Sequence, residues 1–180
     1  MMRRSEMNLP NSITISRILA LPFCVYALFK NGGSDPTWRS ISFLLFFIVG
    51  ATDFLDGKLA RARNSVTEFG KLLDPIADKA LIGAALISLS VLHFLPWWVT
   101  IVILTREIGI TIFRFAVIRK GVIPANRGGK AKTIVQNFAA GFYILPLHTS
   151  LYWFRELFMG AALVLTVVTG IWYLVEARKE

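Results

Sequence analysis

Four aspartates, Asp53, Asp56, Asp74 and Asp78, fall within 26 residues that are flanked on both sides by long apolar runs. Asp53 and Asp56 are spaced i, i+3 and Asp74 and Asp78 i, i+4, so on helices each pair shares a face. Carboxylates this concentrated repel one another unless a counter-charge is supplied. Hard divalent cations such as Mg²⁺ favour oxygen ligands of this kind. Two such ions, ~3.5–4 Å apart, stabilise attacking and leaving oxygens in phosphoryl chemistry. No His or Cys stands near the acids, which argues against zinc. Gly57 removes a side chain directly after Asp56, and Ala60 nearly does so one turn later. Residues 56, 57, 60 and 61 form a helical stripe that ends in Arg61, a suitable partner for a phosphate. Helix packing accounts equally well for Gly57, Ala60 and Gly70 taken singly, and a helix-end arginine accounts for Arg61. Four acids in register need more. A metal-dependent phosphoryl site answers to them, and so does a cation or proton pathway through a membrane.

The elements that carry these residues are apolar. The hydrophobic share is 55%, the charged share 17% and the mean hydropathy +0.59, more apolar than an ordinary soluble domain. Runs of ~20 mainly apolar residues recur, each long enough to cross ~30 Å of hydrocarbon as a helix. The expected fold is an all-α integral membrane protein, a bundle of six transmembrane helices forming a single domain over 1–180. The spans fall at roughly 12–30, 39–61, 70–92, 97–118, 132–149 and 155–176. The basic N-terminus precedes an apolar run without a small-residue cleavage site, which reads as a first span rather than a signal peptide. Cys24 is the single cysteine, so no disulfide can form within the chain.

The net charge of +9 is distributed by side rather than gathered on one soluble face. Of 20 Lys and Arg, the segments on the N-terminal side of the six-span arrangement hold all but seven, whereas the opposite side holds Lys30, Arg39 and Arg155. That asymmetry places both termini and the Arg61 loop in the cytoplasm. It also favours anionic lipid or phosphate partners over nucleic acid. Trp38, Trp97, Trp98 and Trp153 gather toward the opposite side as an interfacial belt. His93 and His148 fall there too, far from the acids, and read as non-catalytic.

The second span runs out to in and carries Asp53 and Asp56 near its cytoplasmic end, and the third starts there with Asp74 and Asp78. A short turn joins them, so the two should pack antiparallel with all four acids at similar depth. Pro75 either opens the third helix with Asp74 as cap or kinks a helix begun near Thr67.

The pattern D-x-x-D-G-x-x-A-R-x8-G-x3-D-x3-D is matched without departure by Asp53, Asp56, Gly57, Ala60, Arg61, Gly70, Asp74 and Asp78. It resembles the signature of the class-I CDP-alcohol phosphotransferase family. The resemblance implies that the four aspartates hold two divalent metals, Mg²⁺ or Mn²⁺, with Asp78 also the general base. It implies donor contacts to CDP-diacylglycerol from Gly57 and Arg61, and from Thr67, the hydroxyl residue six positions after the arginine; Ala60, on the same stripe as Gly57, is read with them. It further implies a homodimer in a bacterial inner membrane with its site on the cytoplasmic side.

The flanks bear on the acceptor. Asn11, Thr14 and Arg17 form a polar strip entering the first span. It reads either as helix-entry capping or as a surface for the cytidine end of the donor; the second reading is adopted for Asn11 and Thr14. Arg106 and Glu107 sit inside the fourth span and need partners, and Arg114 follows two turns later. Lys130, Lys132 and Thr133 stand at the start of the fifth. Arg106, Arg114, Lys130 and Lys132 could together bind an anionic acceptor, whereas a neutral or zwitterionic alcohol would need no such cluster. The N-L-P-N-x-I-T-x-x-R opening, the R-E pair and the G-K-x-K-T-x-x-Q stretch resemble the glycerol-phosphate phosphatidyltransferase branch of the family. That implies sn-glycerol 3-phosphate as acceptor, with another phosphorylated alcohol such as inositol phosphate left open.

Overall fold

A computed structural model describes residues 9–62, 68–117 and 127–176, with side chains except at 9–13, 53–62, 68–74, 114–117, 127–130, 174 and 176. The protein is all-α. Its described helices are α1 (Leu9–Phe29), α2 (Pro36–Ala62), α3 (Glu68–Val91), α4 (Trp97–Val117), α5 (Arg127–Ile144) and α6 (Tyr152–Glu176). Short 3-10 turns occupy Lys30–Gly33 and Thr149–Leu151. The chain divides into two compact units, residues 1–88 and 89–180.

In the first unit α1 doubles back on α2. The reversal is local chemistry. Asn31, Gly32 and Gly33 all take positive φ, a region that Gly and, less readily, Asn can enter. Asp35 then caps α2, its Oδ1 accepting from Thr37 N at 2.9 Å and Trp38 N at 3.3 Å. Pro36 fills the first helical position, where its missing N–H costs nothing. Between the two helices Cys24, Ala27, Leu28, Phe46 and Val49 are buried, and Ser42 Oγ donates to the Cys24 carbonyl at 2.9 Å. Pro75 lies inside α3, which begins at Glu68; the proline therefore interrupts one backbone hydrogen bond rather than opening the helix.

In the second unit α5 packs on α6 and α4 on α6. Phe142 meets Phe154 and Phe158 edge-on, with centroids 4.9 and 5.0 Å apart. The Arg155 guanidinium lies over the rings of Tyr152 and Tyr143, 3.7 and 4.8 Å from their centroids. Ser90 and Thr100 hydroxyls bond at 2.7 Å across the turn between α3 and α4. α5 starts and ends five residues earlier than the apolar pattern implies. Its first turns are basic, and the buried Lys132 is held there by a partner on α4 rather than by water.

Exposed large apolar side chains recur on every helix, among them Phe23, Phe47, Ile87, Ile101, Phe138 and Val168. A soluble monomer rarely presents so much apolar surface, and it fits a membrane-associated protein. Six spans were expected. Among the described residues one stretch, 149–173, is long and apolar enough to cross a bilayer by those criteria, and 36–52 is apolar but shorter.

Candidate active site

The motif acids occupy α2 and α3. Gly50 marks where these helices meet, since a Cβ built there would sit 3.6 Å from Leu81 Cδ2. Five residues separate the end of α2 from the start of α3. Both helices rise ~1.5 Å per residue. Asp53 and Gly57 lie three and seven residues beyond Gly50 on α2, and Asp78 and Asp74 three and seven residues before Leu81 on α3. The Ser42–Cys24 contact joins α1 to α2, and Thr14 lies ten residues before Cys24 on α1. Thr14 is buried and accepts from Arg17 Nη2 at 3.3 Å. The arginine thus leans back along α1 by about a turn, as long helical side chains do, and it is buried.

Asp78 is the one motif acid whose side chain is described. It is part-buried, and its Oδ2 accepts from Lys79 Nζ at 3.1 Å. Such a partly exposed neighbour pair adds little stability. The backbones of Asn11, Asp53, Asp56, Gly57, Ala60, Arg61, Gly70 and Asp74 run in the helices, but the side chains at these positions lie outside the described residues, and Thr67 lies outside them altogether. Among the described residues no three His, Cys, Asp or Glu side chains come together.

The second unit assembles part of the basic cluster. Glu107, 2% exposed, presents Oε1 to two cations: Arg106 Nη1 at 3.1 Å and Lys132 Nζ, reaching across from α5. Lys132 is itself 2% exposed. Arg106 Nη2 donates in turn to Thr169 Oγ1 on α6 at 2.8 Å. Burying charges is costly unless they are paired and hydrogen-bonded, and here one carboxylate serves cations from two helices. Arg114 lies in α4 and Lys130 in α5, with their side chains outside the described residues. Arg106 and Lys132 are therefore brought together, through an acid that the sequence marks only as a charge in need of a partner. Thr169 carries no signal in the sequence, because a threonine in an apolar helix ordinarily bonds its own backbone. His93 takes a positive φ in the turn after α3, and His148 Nδ1 meets Ser150 Oγ at 2.9 Å before α6; both shape turns.

Comparison with known proteins matches residues 7–172 to the CDP-alcohol phosphatidyltransferase family. A probable phosphatidylglycerophosphate synthase of Mycobacterium tuberculosis is 49% identical over 173 residues, covering 96% of this chain and 83% of the relative. The CDP-diacylglycerol–glycerol-3-phosphate 3-phosphatidyltransferase of Bacillus subtilis is 38% identical, with 91% of each chain covered. The enzyme of the same name from Rickettsia felis is 37% identical, with 98% of each covered.

Proposed function

The chain belongs to the CDP-alcohol phosphatidyltransferase family, and we propose that it transfers the phosphatidyl group of CDP-diacylglycerol to sn-glycerol 3-phosphate. The products are phosphatidylglycerophosphate and CMP, so the protein acts in phospholipid biosynthesis. The observation that carries the reaction class is the unbroken motif from Asp53 to Asp78. The approach of α2 and α3 at Gly50 and Leu81 supports it, because Asp53 and Asp78 each lie three residues from that point along their helices. The acceptor rests on relatives whose names specify glycerol 3-phosphate.

In this reading Asp78 takes the proton of the acceptor's primary hydroxyl as that oxygen attacks the lipid-linked phosphorus. The bond from that phosphorus to the oxygen of the CMP phosphate breaks, and CMP leaves. Gly57 and Ala60 leave room along α2 for the donor, and Arg61 and Thr67 hold its diphosphate. Asn11 and Thr14 line the cytidine end. Arg106, Arg114, Lys130 and Lys132 recognise the acceptor phosphate, where arginine offers paired donors. Four carboxylates are a donor set suited to hard divalent ions, and Asp53, Asp56, Asp74 and Asp78 would hold Mg²⁺ or Mn²⁺. When bound, such ions neutralise charge on the donor diphosphate and on the leaving CMP.

The six helices, 18 to 27 residues long, are read as six membrane spans. Both termini and the site face the cytoplasm of a bacterial inner membrane, and the protein works as a homodimer. The deciding experiment measures CMP release from CDP-diacylglycerol by purified protein offered glycerol 3-phosphate, inositol phosphate, inositol or serine. Release specific to glycerol 3-phosphate is expected. Release only with inositol phosphate would move the acceptor within the family. Cation flux in liposomes without any CMP release would replace the enzyme with a transporter.

A further inference from the structure

α6 is the most apolar of the described helices, yet one of its faces is built around an arginine from another helix. Thr166, Thr169, Gly170 and Tyr173 are all buried, at i, i+3, i+4 and i+7, which is one continuous stripe. The Arg106 side chain lies across it. A Cβ at Gly170 would come within 3.2 Å of Arg106 Cγ and 3.7 Å of its Nε, so the absent side chain is what lets the arginine stem pass. The Tyr173 ring centroid is 6.0 Å from Arg106 Cζ. The Thr169 hydroxyl donates to the Leu165 carbonyl at 2.6 Å, and its oxygen is thereby turned to accept from Arg106 Nη2 at 2.8 Å. Glu107 takes Nη1 from the other side.

We propose that Thr169 is a positioning residue for acceptor recognition: with the bare face of Gly170, it holds the Arg106 guanidinium in the orientation that receives the acceptor's phosphate. The inference rests on the reading of Arg106 as an acceptor-phosphate residue. Of the five N–H donors of a guanidinium, one goes to Glu107 and one to Thr169. Nε is buried and has no hydrogen-bond partner among the described residues. One N–H on each Nη thus stays available for an oxyanion, on a group whose rotation is blocked at both ends. A freely turning arginine would lose conformational entropy on binding phosphate; one held beforehand loses less. The role calls for a hydroxyl acceptor at 169 and no side chain at 170, and for nothing else from α6.

The test uses the full chain in detergent, with initial rates of CMP release measured against each substrate separately. Thr169→Val keeps the shape and removes the acceptor atom. Its KM for glycerol 3-phosphate should rise about ten-fold, the effect of losing one hydrogen bond to a charged group, with kcat and the KM for CDP-diacylglycerol unchanged. Thr169→Ser keeps the hydroxyl and should restore the acceptor KM. Gly170→Ala should act in the same direction as Thr169→Val. An acceptor KM unmoved by Thr169→Val, or a loss spread evenly over kcat and both KM values, would reduce Thr169 to packing and overturn the inference. Arg106→Gln separates this from the reading beneath it. If Arg106→Gln raises the acceptor KM and Thr169→Val does not, the positioning role fails alone. If neither does, Arg106 is not an acceptor residue. Should Arg106→Gln not fold, the Val and Ser variants still decide, because neither leaves a buried charge without its counter-ion.

Discussion

Glu107→Gln should be the most destabilising isosteric change in the second unit. The carboxylate is 2% exposed and accepts from two cations, one of them, Lys132, equally buried. Glutamine fills the same volume, so no cavity forms and the whole effect is electrostatic. Leaving a buried charge without its counter-charge costs about 3–5 kcal/mol. At this chain length each kcal/mol moves the midpoint of thermal unfolding by about 2–4 °C, giving a fall of roughly 6–20 °C. Solvent screening reduces this little, because Glu107 and Lys132 are each 2% exposed. The assay is thermal unfolding of purified protein in a fixed detergent, with Lys132→Met and the Glu107→Gln/Lys132→Met double variant alongside. Removing both partners relieves the uncompensated charge, so the double variant should be more stable than Glu107→Gln alone. A midpoint for Glu107→Gln within 2 °C of the parent, on the scale of about 2–4 °C per kcal/mol, would refute the reasoning. A double variant whose loss equals the sum of the two single losses would do the same.

Three further outcomes follow from the first unit. Asp78→Asn should abolish CMP release while leaving CDP-diacylglycerol binding, measured by equilibrium competition, largely intact; near-normal release would defeat its assignment as base. Chelation with EDTA should stop turnover, and Mg²⁺ or Mn²⁺ should restore it where Zn²⁺ does not, as a carboxylate-only ligand set requires; activity that persists in EDTA would count against the metal reading. Gly50→Ala should be close to neutral, because the added Cβ meets Leu81 at an ordinary 3.6 Å. Gly50→Leu should cost about 1–3 kcal/mol by overpacking and depress turnover by pushing α2 off α3, and equal activity in the two variants would show that the spacing there does not matter.

The helices were readable in the sequence because long apolar runs leave few alternatives, and α4 begins at Trp97, where the pattern puts it. The Asp35 cap and the Asn31-Gly-Gly reversal have equally local causes. α5 was misplaced by five residues at each end for a tertiary reason. Its basic opening looks like solvated loop until Lys132 is seen buried against Glu107 of α4, 25 residues away. Pro75 could not be assigned from sequence, because a proline suits the first position of a helix and is also found, at the cost of a hydrogen bond, inside one. The candidate site divides the same way. The aspartate spacings are written within 26 residues, whereas Thr169 acts on a residue 63 positions earlier and looks like any threonine in an apolar helix.

The Arg106-Glu107 pair shows why the acceptor side resists a local reading. Neighbours on a helix point about 100° apart and do not face one another. Two adjacent opposite charges in an apolar helix are therefore poorly explained as partners of each other alone, and each should be expected to seek a different neighbouring helix. Glu107 finds Lys132 on α5, and Arg106 finds Thr169 on α6. Only because the arginine is long can Nη1 also curl back to Glu107. One dipeptide thus joins three helices through buried polar contacts, and breaking any of its links leaves a charge in an apolar interior. The charges that would bind the acceptor are in this way the same charges that hold α4, α5 and α6 together. Variants that alter acceptor preference should accordingly be recovered more readily at uncharged positions such as 169 and 170 than at Arg106, Glu107 or Lys132. A selection for altered acceptor use that returned mainly charge changes at those three positions, with stability intact, would contradict this coupling.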